Sequence, residues 1–187
     1  MDSSHRRAFS LSAAMALVAA TAVGIAWARA YASTERRLLV GYAQFPTPIA
    51  TAAWLGKWPP FLLAPWTAAV LALGSGRNRP RASSPGLAAC GVATATLAAE
   101  GLVILGVAAA ARAPMWWAFF HARPAWPGPA VAGCWIALAL GGRWRPEPAW
   151  DDRLGRALGA AWIAVALASY GFTAWVALSN TPPPLGD

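Results

Sequence analysis

One carboxyl group stands inside an otherwise apolar stretch of this sequence. Glu100 occurs in TATLAAEGLVILGV, near the middle of an apolar run. No Lys or Arg lies at a comparable depth, so we expect Glu100 to be protonated and hydrogen-bonded to a neighbouring helix. Its candidate partners are the hydroxyls of Thr67, Ser169 and Tyr170. Two interpretations stay open: a ligand or proton site, or a hydrogen bond that holds two helices together.

The residues that commonly bind metals and cofactors are few and scattered. His5 and His121 lie outside the apolar runs, so they provide no pair of helical ligands for a haem. Cys90 and Cys134 stand alone on different runs, with neither a redox motif nor zinc-site spacing. No nucleophile elbow, phosphate-binding loop or zinc-protease motif occurs in the sequence. We therefore predict a protein that is not an enzyme, with no metal site and no cofactor bound through its own His or Cys.

Composition indicates lipid as the solvent for most of the chain. Hydrophobic residues make up 58% of the sequence and charged residues only 12%, against about a quarter charged in soluble domains. The net charge of +8 comes from arginines that collect at the ends of apolar runs. This distribution favours contact with membrane headgroups and argues against nucleic acid as a partner.

Five apolar runs predict the elements that position these residues. They predict an all-α, polytopic integral membrane bundle in a single domain over 1–187. The first run is too long for a signal peptide, and we interpret it as a retained helix. The second and fourth runs are short, but each follows an aromatic, proline-rich approach that extends it. The predicted helices cover about 8–31, 59–74, 87–111, 128–142 and 157–178.

The distribution of basic residues predicts how the chain is threaded. If the N-terminus is cytoplasmic, the inner segments 1–7, 75–86 and 143–156 carry most of the arginines. The positive-inside rule then places the C-terminus outside, and we expect a bacterial inner membrane. The inner arginines are Arg6, Arg7, Arg77, Arg79, Arg81, Arg143, Arg145, Arg153 and Arg156.

Two parts of the chain look alike. KWPPFLLAPWTAAVLALGSGRNRP at 57–80 returns as AWPGPAVAGCWIALALGGRWRP at 125–146. In each, a tryptophan and prolines precede an apolar run that ends in glycines and arginines. The similarity over 46–80 and 114–146 has two explanations: a duplicated unit, or convergence of helix ends rich in Ala, Leu and Gly.

The tryptophan content offers a second candidate site. The chain has 12 tryptophans, and APMWWAFFHARPAWPGP at 113–129 is denser in aromatic residues than membrane anchoring requires. This segment and the preceding outer loop predict either an aromatic-walled mouth for a flat hydrophobic ligand or an interfacial helix whose rings enter the lipid.

At these residues the chain resembles the tryptophan-rich sensory protein family, which includes TspO and the mitochondrial translocator proteins. Lys57, Trp58 and the prolines after them are similar to the family's Lys-Pro-x-Trp-x-Pro-Pro element. Trp66, Thr67 and Gly74 are similar to the Trp-Thr element of its second helix. The resemblance implies five helices around a pocket for a porphyrin, a pigment or a lipid. The implied ligand-binding residues are Trp54, Trp58, Trp66, Glu100, Trp117, Phe120 and Tyr170.

The sequence leaves several functions open. Small residues on several faces of the first and third runs favour an accessory subunit that packs against a larger membrane complex, with other integral membrane subunits and lipids as partners. The alternative is a TspO-like sensor or carrier of a flat hydrophobic ligand. A small transporter has only Glu100 in its favour.

Overall fold

The computed structural model describes residues 10–35, 58–75, 84–112, 126–146 and 149–179, and these residues form helices with no strand among them. Three helices contain stretches long and apolar enough to cross a membrane: Leu11–Tyr31, Pro85–Ala110 and Trp150–Phe172. The helices are α1 (Leu11–Glu35), α2 (Pro59–Ser75), α3 (Pro85–Ala110), α4 (Pro127–Leu140) and α5 (Trp150–Ser179).

The two remaining helices are apolar but short. α2 has 17 residues and α4 has 14. At about 1.5 Å per residue, α4 is about 21 Å long, less than the roughly 30 Å of a hydrocarbon core.

Prolines and glycines set several helix ends. Pro59, Pro85 and Pro127 are the first residues of α2, α3 and α4, where the missing N–H leaves no bond unmade. After α4, Gly142 takes a left-handed φ of 64°, and the Arg143 N–H donates to the Leu138 carbonyl over 2.9 Å. This Schellman turn ends α4 and directs the chain back towards α5.

Consecutive helices run in opposite directions. Gly24, near the middle of α1, lies against the carbonyl of Phe61 at the start of α2, and the earlier Thr21 bonds to the later Trp66. Gly74, at the end of α2, lies against Leu87 at the start of α3. α4 and α5 are also antiparallel, because Gly128 at the start of α4 lies against Trp162 and Ala166, whereas the later Trp135 lies against the earlier Gly159.

α3 and α5 run parallel, and their first turns meet. α5 begins at Trp150, ahead of the apolar run predicted to start near residue 157, because the polar segment WDDRLGR continues the helix. Its first turn contacts Ser84 and Gly86 at the start of α3. We call this the polar end of the bundle: the end at which α3 and α5 begin and α2 and α4 finish.

Small side chains dominate the buried interior. One cluster joins α1, α2, α3 and α5, and a second joins α3, α4 and α5 around Trp162, the largest fully buried side chain. Because alanine and glycine line these contacts, the helix backbones approach closely. The buried members are Leu17, Val70, Cys90 and Leu158 in the first cluster and Ala89, Ala93, Val131 and Trp162 in the second.

Candidate functional site

A buried carboxylate joins the first turns of α3 and α5. Asp152 Oδ1 accepts hydrogen bonds from the Ser84 hydroxyl over 2.5 Å and from the Gly86 backbone N–H over 2.7 Å. Its other oxygen, Oδ2, lies 3.0 Å from Arg156 Nε, one turn further along α5. The two side chains form an ion pair. We call Ser84, Gly86, Asp152 and Arg156 the carboxylate clasp.

Local sequence explains how the clasp forms. Ser84 is the N-cap of α3, and its hydroxyl accepts from the Leu87 N–H while it donates to Asp152. Gly86 and Gly155 allow the two backbones to meet: a Cβ on Gly155 would lie 2.5 Å from the Gly86 carbonyl oxygen. Any larger residue at either position would push the helices apart.

The burial of the clasp indicates a structural role. Ser84 is 4% exposed and Asp152 is 1% exposed, so no substrate can reach either group from solvent. The serine hydroxyl donates to a carboxylate and not to a base such as histidine, so it lacks the partner that would activate it as a nucleophile. The carboxylate instead accepts from the Gly86 N–H in the first turn of α3, where free N–H groups need a partner and favour negative charge.

Sequence reasoning missed the clasp, although its parts carry recognisable signals. Ser-Pro-Gly at 84–86 is a typical helix start, and Asp152 with Arg156 has the spacing of a helical ion pair. Neither signal indicates that Asp152 reaches across 68 positions to cap another helix.

Two tryptophans are hydrogen-bonded to threonines on neighbouring helices. The Trp66 indole N–H donates to Thr21 over 2.9 Å, and the Trp162 indole N–H donates to Thr67 over 3.0 Å. Each threonine hydroxyl in turn donates to a carbonyl one turn earlier in its own helix. α2 is thereby bonded to α1 and to α5 through otherwise apolar contacts.

These hydrogen bonds involve two residues for which other roles are expected from the sequence: Thr67 as a partner of Glu100 and Trp66 as a ligand-binding residue. Thr67 is completely buried and already bonded, so its hydroxyl is not the partner of Glu100. Trp66 is half-buried and uses its indole N–H within the bundle. Both residues therefore connect helices.

The other residues implied to bind ligand are dispersed or lie outside the described parts of the chain. Trp54, Trp117 and Phe120 fall outside the described residues. Trp58 precedes α2, and its ring centroid is 6.5 Å from that of Phe61. Tyr170 lies on an exposed face of α5.

Glu100 occupies the second half of α3. It is half-buried and shares a stripe with Leu97 and Ile104, between the buried Ala93 and Ala108. No hydrogen bond or ion pair joins Glu100 to another described residue, so the structure does not bring it to Thr67, Ser169 or Tyr170. The expected hydroxyl partner within the chain is absent from the described bundle.

No metal centre is evident among the described residues. Within those ranges, no three His, Cys, Asp or Glu side chains lie close enough together to hold a metal ion. Cys90 is buried and Cys134 is half-buried, and both are free thiols. They pack as small side chains, as the sequence predicts.

Comparisons with protein-family models, with curated proteins and with solved structures found no match for this chain. The resemblance to the tryptophan-rich sensory proteins therefore stays a prediction that rests on the residues quoted for it. The membrane location rests on the length and composition of the helices.

Proposed function

We propose that this protein is a non-catalytic integral membrane subunit that packs against a larger membrane complex through the second half of α3. One observation carries the proposal: the Glu100 carboxyl lies in the second half of an apolar helix and bonds to no other described residue. Lipid tails can cover the leucines and valines around it, but they cannot satisfy a carboxyl group. A polar group on another membrane protein can.

The packing of α3 supports this location for the interface. Five of its six buried residues lie between Pro85 and Ala93, and only Ala108 lies beyond Glu100. Val103 and Val107, which lie at i+3 and i+7 from Glu100 and so on the same side of the helix, are exposed. A Cβ on Gly101 would meet no atom within 4 Å, so a partner helix can approach the backbone closely there.

The proposed threading has five crossings, with the N-terminus in the cytoplasm and the C-terminus outside. It is supported by the alternating helix directions and by the arginines at the polar end, which the positive-inside rule assigns to the cytoplasmic face of a bacterial inner membrane. Other integral membrane subunits and lipids are the proposed partners.

A second candidate function is binding of a flat hydrophobic ligand such as a porphyrin. One observation favours it: aromatic rings gather around Phe61, where α1 ends and α2 begins. Trp27 and Tyr31 have ring centroids 5.3 Å and 4.9 Å from Phe61, and Trp58 is also in contact. The resemblance implies a pocket beneath the first loop, and that loop joins α1 to α2 in the sequence.

Purification from native membranes in mild detergent tests the subunit proposal. We expect the wild type to retain a stoichiometric membrane partner. Glu100→Leu should lose it, whereas Glu100→Gln, which keeps hydrogen-bonding groups, should retain more of it. Thr96→Val is the matched control: it also replaces a half-buried polar side chain of α3 with an apolar one, but its hydroxyl already bonds to the Val92 carbonyl of the same helix. Recovery of the wild type alone, or equal loss of the partner in Thr96→Val, would contradict the proposal.

A further inference from the structure

Three arginines at the polar end face outward. Arg143 and Arg145 follow α4, Arg153 lies in the first turn of α5, and all three are exposed. The acidic residues of the same turn, Asp151 and Asp152, are buried. Within the described chain, no carboxylate pairs with any of the three arginines. Among the described residues of the polar end, both aspartates are therefore buried and these three arginines are exposed.

Tryptophan packing holds the first two arginines at this end. Trp144, between them in the sequence, meets Trp135 edge to face with ring centroids 5.6 Å apart. The Trp135 indole N–H donates to the Pro85 carbonyl over 3.0 Å, and its ring lies against Gly159 of α5. The Schellman turn at Gly142 directs the chain into this position. Through Trp135, the segment 143–145 is thus held against the first turn of α3 and the third turn of α5.

From α4 towards its following segment, the side chains change from apolar to tryptophan and arginine, which is the order expected from the hydrocarbon core to the lipid headgroups. α4 is apolar up to Leu140, and Trp144 remains 38% exposed while its ring packs on the bundle. Tryptophan rings favour the depth of the headgroups, where guanidinium groups beside them meet lipid phosphates. Arginine donates several N–H groups in a planar fork that fits phosphate oxygens.

We propose that Arg143, Arg145 and Arg153 form a binding surface for the phosphate of an anionic phospholipid headgroup. Charge complementarity favours an anionic over a zwitterionic lipid, because the phosphate of a zwitterionic headgroup is offset by its own cation. Arg156 is excluded from the surface because it pairs with Asp152. The proposal requires a membrane location but no particular partner protein.

Lipid retention by the purified protein tests this surface. The protein is exchanged into mixed micelles containing phosphatidylglycerol or phosphatidylcholine, and bound lipid is counted by native mass spectrometry. We expect the wild type to retain phosphatidylglycerol, and each Arg→Gln change among the three to weaken retention about fivefold. Arg29→Gln is the matched control, because it removes an equal charge from an exposed position in α1 at the opposite end.

Two outcomes would overturn the proposal. One is equal retention of phosphatidylglycerol by the triple variant and Arg29→Gln, and the other is equal retention of both lipids by the wild type. Thermal unfolding in lipid-free detergent verifies the fold of the triple variant, and Arg153→Gln alone provides the test if the triple variant unfolds. Because Glu100 is untouched, failure here leaves the subunit proposal standing.

Discussion

The carboxylate clasp should be a principal source of stability in the bundle, and Asp152→Ala tests this directly. The substitution removes the acceptor of the Ser84 hydroxyl and the Gly86 N–H, both buried at the contact between α3 and α5. Each buried group left without a partner costs about 1–3 kcal/mol. For these two groups together we therefore expect the free energy of unfolding to fall by about 2–6 kcal/mol. The ion pair with Arg156 is omitted from this sum, because that side chain is 33% exposed and solvent screens it.

The protein carries its own reporter for this measurement. Cys90 is 1% exposed and belongs to the core cluster beneath the clasp, so a thiol-reactive dye labels it only when the bundle opens. In a Cys134→Ala background, labelling against temperature or against added denaturing detergent gives the unfolding midpoint. Asp152→Asn keeps an oxygen that accepts hydrogen bonds and should lose only about 1 kcal/mol. Arg153→Ala, in the same turn but exposed, is the control, and an Asp152→Ala midpoint equal to that of Arg153→Ala would refute the reasoning.

Three further substitutions probe the rest of the bundle. Thr67→Val removes the acceptor of the buried Trp162 indole N–H and should destabilise by about 1–3 kcal/mol in the same assay, with Thr67→Ser restoring most of the loss. Gly155→Ala forces a Cβ against backbone and should prevent close packing of α3 and α5, whereas Gly133→Ala, which meets no atom within 4 Å, should change stability by no more than about 1 kcal/mol. Trp66→Ala should lower the unfolding midpoint without changing porphyrin titrations monitored by tryptophan fluorescence. Saturable quenching in the wild type that this variant loses would favour the TspO-like alternative.

Hydropathy predicts helices because each apolar run carries its own signal. The prolines at the starts of α2 and α4 and the glycines after α4 could also be interpreted from the sequence, because these residue types mark helix ends locally. The clasp could not, because Asp152 and Ser84 lie in polar segments whose meeting depends on how helices far apart in sequence pack together. Hydropathy also does not predict that α5 begins at Trp150, because its first seven residues, WDDRLGR, are mostly polar.

Glu100 illustrates a different limit. Its cost in an apolar helix is evident from the sequence, and this led to the expectation of a hydroxyl partner within the chain. Thr67 was a reasonable candidate, but its hydroxyl bonds to Trp162. Sequence patterns identify groups that need partners, whereas the three-dimensional packing decides which groups meet.

Site-specific photo-cross-linking in living cells tests the subunit proposal most directly. A photoreactive residue is placed at Val103, which is 66% exposed and lies at i+3 from Glu100 on the same side of the helix, and in a second strain at Met15, which is 65% exposed on α1. We predict a cross-linked protein species of one defined mass at Val103 and lipid adducts alone at Met15. The Val103 species should disappear when Glu100→Leu is added. Lipid adducts alone at Val103 would contradict the proposal that the second half of α3 packs against another membrane protein.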